Sequence, residues 1–545
     1  MSSDTSKGDT KPGVGKFEFQ PIMPRPGAAV APCQDNCPCG TSIRDWIAPV
    51  AQRSSLGLSL DDAYTQAWQR IVDNNPFPAI MGRICPHPCE TECNRDERDS
   101  AVAVSSMERF LGDWALDRGL ALPMLEPADE QRSFGVIGAG PAGLSYAYQV
   151  ARRGHAVAVY DWHPEAGGML RYGVPDYRLP RAVLNAEIQR IVDMGVQLKT
   201  GVRIGVDVSL KTLRSQHHAL FFGLGAQRAR MLNVPGETGP GVWTGTDFLE
   251  RFNTDNPVST GDQLLVIGGG NTAIDVARAA RRSGAEVTVV YRRELADMPA
   301  IPAEIEQARD EGVRFMELTS PKEILHASTG ELQGLATQSM RPGAPDKSGR
   351  HQPEPVPGST TTLSATTVVV AVSQEPDWRG IAEASPDVAP PSPDNTRMAF
   401  GGDVMHQGMA SAAIAEGKAA ALRACGIPPA PGLDEHTGPI VKVERYTPLN
   451  RVSEHTATPE MRLSHPKMEV AETITEQEFL AEAERCLSCG SCIGCYQCWM
   501  YCNAGSFSPV DQPTPGNYFK FDSDLCEGCG KCIELCPCGF LSPLE

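Results

Sequence analysis

The cysteines near the carboxyl end constrain this chain more than any other feature. The stretch from Cys486 to Cys538 reads CLSCGSCIGCYQCWMYC, then twenty-three residues without a cysteine, then CEGCGKCIELCPC. Twice within it, three cysteines are separated by two residues each, and a fourth follows after three more. This spacing is typical of [4Fe–4S] ligands, because three thiolates in one tight loop reach three irons and the fourth reaches a different cluster.

Crossed ligation divides these cysteines into two sets of four thiolates. The sets are Cys492, Cys495, Cys498 and Cys536, and then Cys502, Cys526, Cys529 and Cys532. A pair of zinc ribbons is the alternative, but zinc ribbons use two separated pairs of cysteines rather than threes with a trailing fourth. The sequence therefore predicts a ferredoxin-like α+β domain with two [4Fe–4S] clusters over 486–545. It assigns no role to Cys486, Cys489 and Cys538, although a shifted register for the first cluster stays open.

Length, charge and cysteine usage limit the remaining possibilities. The chain has 545 residues, which is enough for three or four domains with cores of their own. Its formal net charge of −18 argues against nucleic acid or an anionic membrane as partner. The N-terminal text is polar, and no apolar stretch is long enough to span a bilayer, so a cytoplasmic location is expected.

Six further cysteines stand near the amino end. Residues 1–30 are rich in Pro, Gly and Lys and are predicted to form a disordered arm. Over 31–130, two cysteine groups flank helix-like text, which predicts a helical iron–sulfur domain. The groups are Cys33, Cys37 and Cys39, and then Cys85, Cys89 and Cys93. They suit one cluster or two, and the alternative is a helical domain without clusters and with buried thiols.

The text changes to a strand, a turn and a helix at Phe134. FGVIGAGPAGLSYAYQVARRG contains Gly138-x-Gly140-x-x-Gly143, and the next strand, AVAVYD, ends in Asp161. In this motif the glycines provide the tight turn, the close approach of a pyrophosphate and the packing of helix on strand, while the acid binds a ribose hydroxyl. A chance glycine turn is the alternative, but the strand, helix and acid stand where a dinucleotide site requires them.

A second nucleotide-binding fold follows, with Gly268-x-Gly270-x-x-Ala273 between a strand and a helix. Its second strand, VTVVY, runs into Arg292 and Arg293, and arginines at this point suit the 2′-phosphate of NADPH. The next residue, Glu294, would suit a ribose diol instead, and both arginines would also be ordinary as solvated surface groups. The choice between NADH and NADPH therefore stays open.

These boundaries predict a multidomain chain with two α/β Rossmann-like folds in its centre. The FAD-binding domain takes 131–255 plus 396–425, where FGGDV and a helix rich in small residues return to the first fold. The NAD(P)H-binding domain takes 256–395. Residues 426–485 are predicted to be a linker and a helix, and the sequence TEQE from Thr475 predicts a capping box at the start of that helix.

The ordered set of motifs resembles the glutamate synthase small-subunit family of iron–sulfur flavoproteins. The resembling text is CPHPCETEC, VIGAGPAGL, GGMLRYGVPDYRLP, VPGE, GGGNTAIDVAR, VYRRE and FGGDV, within about 33–425. The resemblance implies FAD on the first fold at Gly138, Gly140, Pro141, Ala142, Gly143, Asp161, Gly168, Met169, Gly402 and Asp403. It implies NAD(P)H on the second fold at Gly268, Gly270, Asn271, Thr272, Arg292 and Arg293.

The resemblance also implies a cluster beside the flavin with one ligand that is not a cysteine. The matching residues are Cys37, Cys85, Cys89 and Glu108. His87 is expected to pack near this cluster or to donate a hydrogen bond there, rather than to be a ligand. The chain lacks the family's CxxC upstream of Cys33, so a second N-terminal cluster is in doubt, with Cys33, Cys39 and Cys93 as further ligand candidates.

The tail resembles the sub-branch that accompanies reverse dissimilatory sulfite reductase, notably in CLSCGSC and CYQCWMYC. This implies an NAD(P)H:acceptor oxidoreductase of sulfur metabolism, with FAD joining hydride transfer to one-electron transfer. The expected partner is a redox protein, either a sulfite reductase or a ferredoxin, and the arm before the tail suits a homodimer. The alternatives are an electron-transfer subunit of a 2-oxoacid oxidoreductase or glutamate synthase-like complex, and a non-catalytic iron–sulfur assembly subunit. A flavin disulfide reductase needs a redox-active pair of cysteines beside the flavin. Cys425 is the only cysteine between Cys93 and Cys486, so this alternative is excluded.

Overall fold

The computed structural model of the chain describes residues 21–27, 29–347, 349–379, 381, 397–428 and 441–544. Most of the arm predicted over 1–30 lies outside these residues. Within them, the chain forms a helical region, two parallel sheets with a small antiparallel sheet, and a C-terminal region with short strands. The predicted fold class is confirmed.

Short helices make up the N-terminal region. They span Pro32–Asp35, Ile43–Ala51, Arg53–Leu56, Leu60–Val72, Pro78–Ile84, Pro88–Thr91 and Val104–Asp117, with a 3-10 turn at Asn94–Glu97. The helix Leu60–Val72 starts where the Ser59 side chain accepts a hydrogen bond from the Asp62 backbone N–H. It buries Tyr64, Trp68 and Ile71, because residues three and four apart share one helix face.

The first parallel sheet has five strands. Their order is Met398–Phe400, Ala219–Phe222, Ser133–Ile137, Ala156–Tyr160 and Gln197–Lys199. Its helices are Pro141–Ala151, Met169–Tyr172, Arg181–Val192, Leu210–Gln216 and Ala410–Ala424. The last strand and the last helix come from the chain's return after the second sheet. Since carboxyl ends of parallel strands meet at one edge, the glycine loop and the FGGDV segment lie together.

The second parallel sheet also has five strands. Their order is Arg314–Met316, Glu286–Val290, Gln263–Ile267, Thr367–Val370 and Val242–Thr244. Its helices are Gly245–Asn253, Asn271–Arg282 and Pro302–Asp310, with a 3-10 turn at Leu295–Asp297. The strand Val242–Thr244 pairs with Thr367–Val370. The chain therefore enters the second sheet before the predicted boundary at 255.

Antiparallel strands join the edges of these sheets. Thr319–His326, Leu332–Pro345 and His351–Ser364 form a three-stranded sheet, and Arg228–Ala229 pairs with Gln374–Glu375 between the two folds. The C-terminal region has helices Pro459–Ser464, Glu476–Glu484, Gln497–Met500 and Lys531–Leu535, a 3-10 turn at Val443–Arg445, and the hairpin Phe507–Thr514 with Asn517–Phe521. The strand Leu541–Pro543 pairs with Pro24–Pro26, so the two ends of the described chain meet.

Two cores hold the helical region in place. One core joins Trp68 and Phe77 of the helices to Phe134 and Tyr146 of the first sheet and its helix. The other packs Tyr64 against Phe479 of the helix Glu476–Glu484. The C-terminal segment therefore packs directly on the N-terminal helices. In the described part of the chain, no helix is both long and apolar enough to cross a membrane.

Candidate redox site

A cavity of about 680 Å³ lies between the two nucleotide-binding folds. Its wall contains nine of the ten residues predicted to bind FAD: Gly138, Gly140, Pro141, Ala142, Asp161, Gly168, Met169, Gly402 and Asp403. Asn271 and Thr272 of the second fold line the same cavity. Residues of the predicted FAD site and of the predicted NAD(P)H site therefore line the same cavity.

The glycines of the first loop have the geometry that a bound pyrophosphate needs. Gly138 has φ +105°, which favours glycine, and a Cβ on Gly143 would collide with the Gly138 carbonyl oxygen. At Gly140, the nearest atom to an added Cβ is the Gly168 Cα at 3.9 Å, so the loop is open towards the cavity. These residues fit FAD, since the backbone N–H groups in the first turn of the helix Pro141–Ala151 have no partner within the helix and can bind an anion.

Asp161 fixes the glycine loop as well as facing the cavity. Its Oδ2 accepts a hydrogen bond of 2.6 Å from the Ala139 N–H, and its Oδ1 accepts one of 2.9 Å from the His163 N–H. Each carboxylate oxygen has a second lone pair, so the group can still accept from a ribose hydroxyl. The acid at the end of the second strand therefore orders the loop before any ligand binds.

Asp403 and the helix Ala410–Ala424 close the other end of the cavity. Asp403 Oδ1 accepts a hydrogen bond of 3.1 Å from the Gly408 N–H, and burial raises the pKa of its carboxyl. Ala410 and Ser411, in the first turn of the helix, line the cavity. The positive end of the helix dipole therefore faces the space predicted for the flavin.

The second glycine loop has the same features as the first. A Cβ on Gly268, at φ +146°, would collide with the Ala371 carbonyl oxygen, whereas one on Gly270 would have no atom within 4 Å. Asn271 Oδ1 accepts a hydrogen bond of 2.9 Å from the Ile301 N–H, and Thr272 Oγ1 accepts one of 3.3 Å from Gln374 Nε2. The loop is open to a nucleotide, and its side chains are already oriented.

The two arginines after the second strand have different surroundings. Arg293 is buried, and its Nη2 lies 2.8 Å from Asp346 Oδ2. Arg292 is exposed. Arg292 is therefore the better placed of the two to reach a nucleotide phosphate, while Arg293 ties the strand end to the antiparallel sheet.

Arg178 lies on the cavity wall, and the sequence analysis gave it no role. Its Nη1 lies 2.9 Å from Asp275 Oδ1 and its Nε lies 3.0 Å from Glu304 Oε1, and both acids belong to the second fold. Burial raises the pKa of Asp275 to about 6, although the charge of Arg178 opposes this. Arg178 stands in RYGVPDYRLP of the first fold, so this buried ion pair joins the two folds beside the cavity.

A smaller cavity in the helical region contains the four ligands that the resemblance implies. Its wall includes Cys37, Cys39, Cys85, Cys89, Glu108 and Ser411. Glu108 Oε1 accepts a hydrogen bond of 2.9 Å from Asn75 Nδ2, and His87 Nε2 lies 3.3 Å from Glu108 Oε2. Burial lowers the pKa of His87, but the hydrogen bond to Glu108 and the charges of Glu108 and Glu90 together outweigh it, so the net shift is upwards. The predicted role of His87 as a hydrogen-bonding neighbour agrees with this contact.

Cys39 is a fifth donor on this wall. The Cys39 thiol stabilises the Cys37 thiolate and lowers the pKa of Cys37 to about 6, while the pKa of Cys39 itself rises. The Cys39 Sγ also lies 3.3 Å from the Ser411 carbonyl oxygen. The donor set fits an iron–sulfur cluster held by three cysteines, with either Glu108 or Cys39 as the fourth ligand.

Cys85 joins the two cavities, because it lies on the wall of both. The pKa of its thiol is raised to about 12, mainly by burial. A cluster held at Cys85 would therefore be next to a flavin in the larger cavity.

The tail places Cys492, Cys495, Cys498 and Cys536 close to one another, and likewise Cys526, Cys529 and Cys532. Burial raises the pKa of Cys498 to about 12, and the charges of Cys492, Cys495 and Cys536 raise it too, so these four thiols are neighbours. Cys526 and Cys529 likewise raise the pKa of Cys532, after the larger effect of burial. Cys502 accepts a hydrogen bond of 3.4 Å from the Ser506 N–H. Cys538, which had no assigned role, has its Sγ 3.8 Å from the Cys536 Sγ.

Three family models match separate parts of the chain. Residues 133–385 match "Pyridine nucleotide-disulphide oxidoreductase", residues 28–120 match "Dihydropyrimidine dehydrogenase domain II, 4Fe-4S cluster", and residues 491–540 match "4Fe-4S dicluster domain". The folds and these matches define the class as iron–sulfur flavoprotein oxidoreductases, a class whose domains imply a pyridine nucleotide, FAD and [4Fe–4S] clusters.

Similar proteins assign the chain to one family within this class. The NADPH-Fe(3+) oxidoreductase subunit beta of Geobacter sulfurreducens is 38% identical over 353 residues, covering 64% of this chain and 51% of that protein. The NADP(+)-dependent formate dehydrogenase subunit beta of Moorella thermoacetica is 35% identical over 404 residues, covering 69% and 55%. The Escherichia coli glutamate synthase [NADPH] small chain is 31% identical over 442 residues, covering 75% and 93%. The chain belongs to the glutamate synthase small-chain family, and it spans about half the length of the first two relatives.

Proposed function

We propose that this chain passes electrons between NAD(P)H and a protein redox partner through FAD and [4Fe–4S] clusters. The observation that carries the proposal is the position of Cys85, which lies on the wall of both the nucleotide cavity and the cysteine-lined cavity. FAD, when bound, converts the two-electron chemistry of a nicotinamide into the one-electron chemistry of clusters. The shared wall of the two cavities suits this conversion.

The chain's own residues bind and orient the cofactors in this proposal. Gly138, Gly140 and Asp161 hold the dinucleotide part of FAD, and Asp403 holds its ribityl chain. The ion pair between Arg178 and Asp275 fixes the second fold against the first, which sets the approach of the nicotinamide to the flavin. Asp275 is buried and the Glu304 side chain is only 14% exposed, so the contact between the two folds is largely shielded from water.

An anaerobic titration tests this function. We expect NADPH to bleach the flavin absorbance and then to generate the low-temperature EPR signals of reduced clusters. NADH serves as the parallel titrant, and its relative effect measures the nucleotide preference. A flavin that neither nucleotide bleaches, in protein that retains FAD, would contradict the proposal.

For the partner, we propose dissimilatory sulfite reductase acting in sulfur metabolism, with the chain as a cytoplasmic homodimer. The support is the tail text, CLSCGSC and CYQCWMYC, which resembles the flavoprotein that accompanies that enzyme. NADPH-dependent reduction of purified sulfite reductase by this chain, or the reverse reaction, tests the pairing. Sedimentation of the holoprotein tests the dimer.

A second candidate is an electron-supplying subunit for a glutamate synthase-like or a 2-oxoacid oxidoreductase complex. It is favoured by the match over 93% of the E. coli glutamate synthase small chain. Mixing the reduced chain with each purified acceptor under the same conditions separates the candidates, because only the true partner reoxidises the clusters rapidly.

A further inference from the structure

Four cysteines that the sites above do not use come from opposite ends of the chain. Cys33 lies in the short helix Pro32–Asp35, and Cys93 directly precedes the 3-10 turn Asn94–Glu97. Cys486 and Cys489 follow the helix Glu476–Glu484. All four are free thiols of intermediate exposure.

Polar contacts place Cys93 beside the C-terminal pair. Asn94, the residue after Cys93, donates from its Nδ2 to the Sγ of Cys489 at 3.5 Å. Arg95 Nη1 donates to the carbonyl oxygen of Arg485, the residue before Cys486, at 3.2 Å. The two cysteine-bearing turns are therefore joined on both sides.

The segment before Cys33 is joined to the same turn. The Ala29 N–H donates to the Gly490 carbonyl oxygen at 3.2 Å. Arg44 Nη1 donates both to the Ala29 carbonyl oxygen at 2.6 Å and to the Cys489 carbonyl oxygen at 2.8 Å. Gly490 has φ +72°, and an added Cβ would lie 3.0 Å from Ala29, so the turn and the N-terminal segment pack closely.

The thiols are also close enough for their charges to interact. Burial raises the pKa of Cys33, and the charges of Cys486, Cys489 and Cys93 raise it further. The pKa of Cys486 is raised to about 12, first by burial and then by Cys489 and Cys93. Four converging thiolates would repel one another strongly, and a bound cationic metal centre removes that repulsion.

The spacing of the sulfurs selects the kind of centre. Zinc–sulfur bonds of about 2.3 Å would place four thiolates around one zinc ion about 3.8 Å apart. Among the described residues, however, the one group of three or more His, Cys, Asp or Glu ligand atoms within 4.8 Å of one another is Glu294, Asp297 and His351. No three of the four cysteine sulfurs are therefore that close together. The four cysteines are spread more widely, as the corners of a larger cluster require.

We propose that Cys33, Cys93, Cys486 and Cys489 bind a further [4Fe–4S] cluster, shared between the N-terminal helical region and the C-terminal segment. These ligands are close in sequence to the cysteines of both neighbouring sites: Cys37 follows Cys33 by four residues, and Cys492 follows Cys489 by three residues. The cluster would therefore lie between the flavin-side site and the tail. Its role as a relay rests on the proposed function, but its presence does not.

Iron and sulfide content of the anaerobically purified full chain tests the site. With the flavin-side cluster and the two tail clusters, the proposal expects about sixteen irons and sixteen acid-labile sulfides per chain, since each cube holds four of each. The double variant C486S/C489S should lose about four of each, and C33S/C93S should lose the same number. The matched control is C425S, which removes a cysteine distant from these groups and should lose none. The quadruple variant should lose no more than either pair, because both pairs serve one centre.

Several results would overturn the proposal. One is a wild-type content of about twelve irons per chain. Another is a quadruple variant whose iron loss equals the sum of the losses from the two double variants. A third is one zinc ion per chain that is lost from either double variant. Retention of FAD shows that a variant is folded. If a variant does not fold, Mössbauer quantification of the clusters in the wild-type protein decides whether the fourth cluster is present. Bleaching of the flavin by NADPH is measured separately, so failure of the proposed function is distinguishable from absence of this cluster.

Discussion

The Sγ of Cys85 lies 3.9 Å from the Oγ of Ser411, and these two residues link the flavin cavity to the cysteine-lined one. Ser411 stands in the first turn of the helix whose N-terminus faces the predicted flavin. A hydroxyl donating to a cluster thiolate stabilises the reduced, more negative state of the cluster. The pair therefore couples the helix of the flavin site to the potential of its nearest cluster.

We expect S411A to lower the reduction potential of the flavin-side cluster. Loss of one hydrogen bond of about 1 kcal/mol corresponds to about 40 mV for a one-electron couple. Potentiometric EPR of that signal measures the shift, and S411T is the control because it keeps the hydroxyl. An unchanged potential in S411A would show that Cys85 is not a ligand or that the hydroxyl does not reach it.

Arg292 and Arg293 should differ in their effect on nucleotide preference. Arg292 is exposed and directly follows Tyr291, whose ring packs against Gly269 of the second glycine loop, whereas Arg293 is held by Asp346. A charge-assisted hydrogen bond to the 2′-phosphate is worth about 1.5–3 kcal/mol, so R292A should raise the KM for NADPH by about 10- to 100-fold while the KM for NADH changes little.

The control for this prediction is R293A, which should weaken both nucleotides alike because it loosens the strand end. Steady-state reduction of an artificial acceptor gives both KM values. Equal losses for NADPH and NADH in R292A would exclude a 2′-phosphate contact for this residue.

Sequence patterns predicted the parts of the fold that depend on local spacing. The glycine loops, Asp161 and the capping box at Thr475 all depend on residues within one strand–helix unit, and the structure contains that capping box. The approach of Cys486 and Cys489 to Cys33 and Cys93 was not predictable, because about 390 to 460 residues separate the partners and no local pattern encodes their approach. The unassigned CxxC of the tail was the only signal.

The same limit applies to charged residues between elements. The pairing of Arg293 with Asp346, and that of Arg178 with Asp275, join segments of different sheets. In the sequence, neither arginine can be distinguished from one that is exposed to solvent. Hydrophobic periodicity indicates which face of an element is buried, but not which residues pack against that face.

Glu187 should make stability depend on pH. Its carboxylate oxygens accept hydrogen bonds from the Ala79 and Ile80 N–H groups at 3.2 and 3.3 Å, and burial raises its pKa from 4.5 to about 8. Between these values the folded protein binds more protons at this site than the unfolded chain does. The free energy of unfolding should therefore fall as pH rises through this window, by about 2–5 kcal/mol from this group.

The variant E187Q removes the titrating group and should flatten the dependence of the unfolding temperature on pH between about 5 and 8. The control is E126Q, a neutralisation at an exposed position. A slope that persists in E187Q would show that other groups cause it.

The capping box at Thr475 should control the stability of the helix that precedes Cys486. The Thr475 hydroxyl accepts from the Glu478 N–H, and the Glu478 carboxylate accepts from the Thr475 N–H at 2.8 Å. T475A should cost about 1 kcal/mol and lower the temperature at which iron is released, whereas T475S keeps the cap. Iron release followed by a chromogenic chelator during heating measures the difference, and equal release from both variants would show that the helix does not limit cluster retention.

Exposure to air should destroy the tail clusters before the flavin-side cluster. Cys495 and Cys529 of the tail are exposed, whereas Cys89 is 3% exposed and lies in a cavity walled by Trp46 and Met81. Because an apolar shell limits the access of oxygen and chelators, the two kinds of site should decay at different rates. Samples withdrawn after controlled oxygenation and reduced for EPR should lose the interacting two-cluster signal first, while the flavin-side signal persists. The opposite order would mean that the N-terminal cavity is open to solvent, and that its cluster is not the protected entry point beside the flavin.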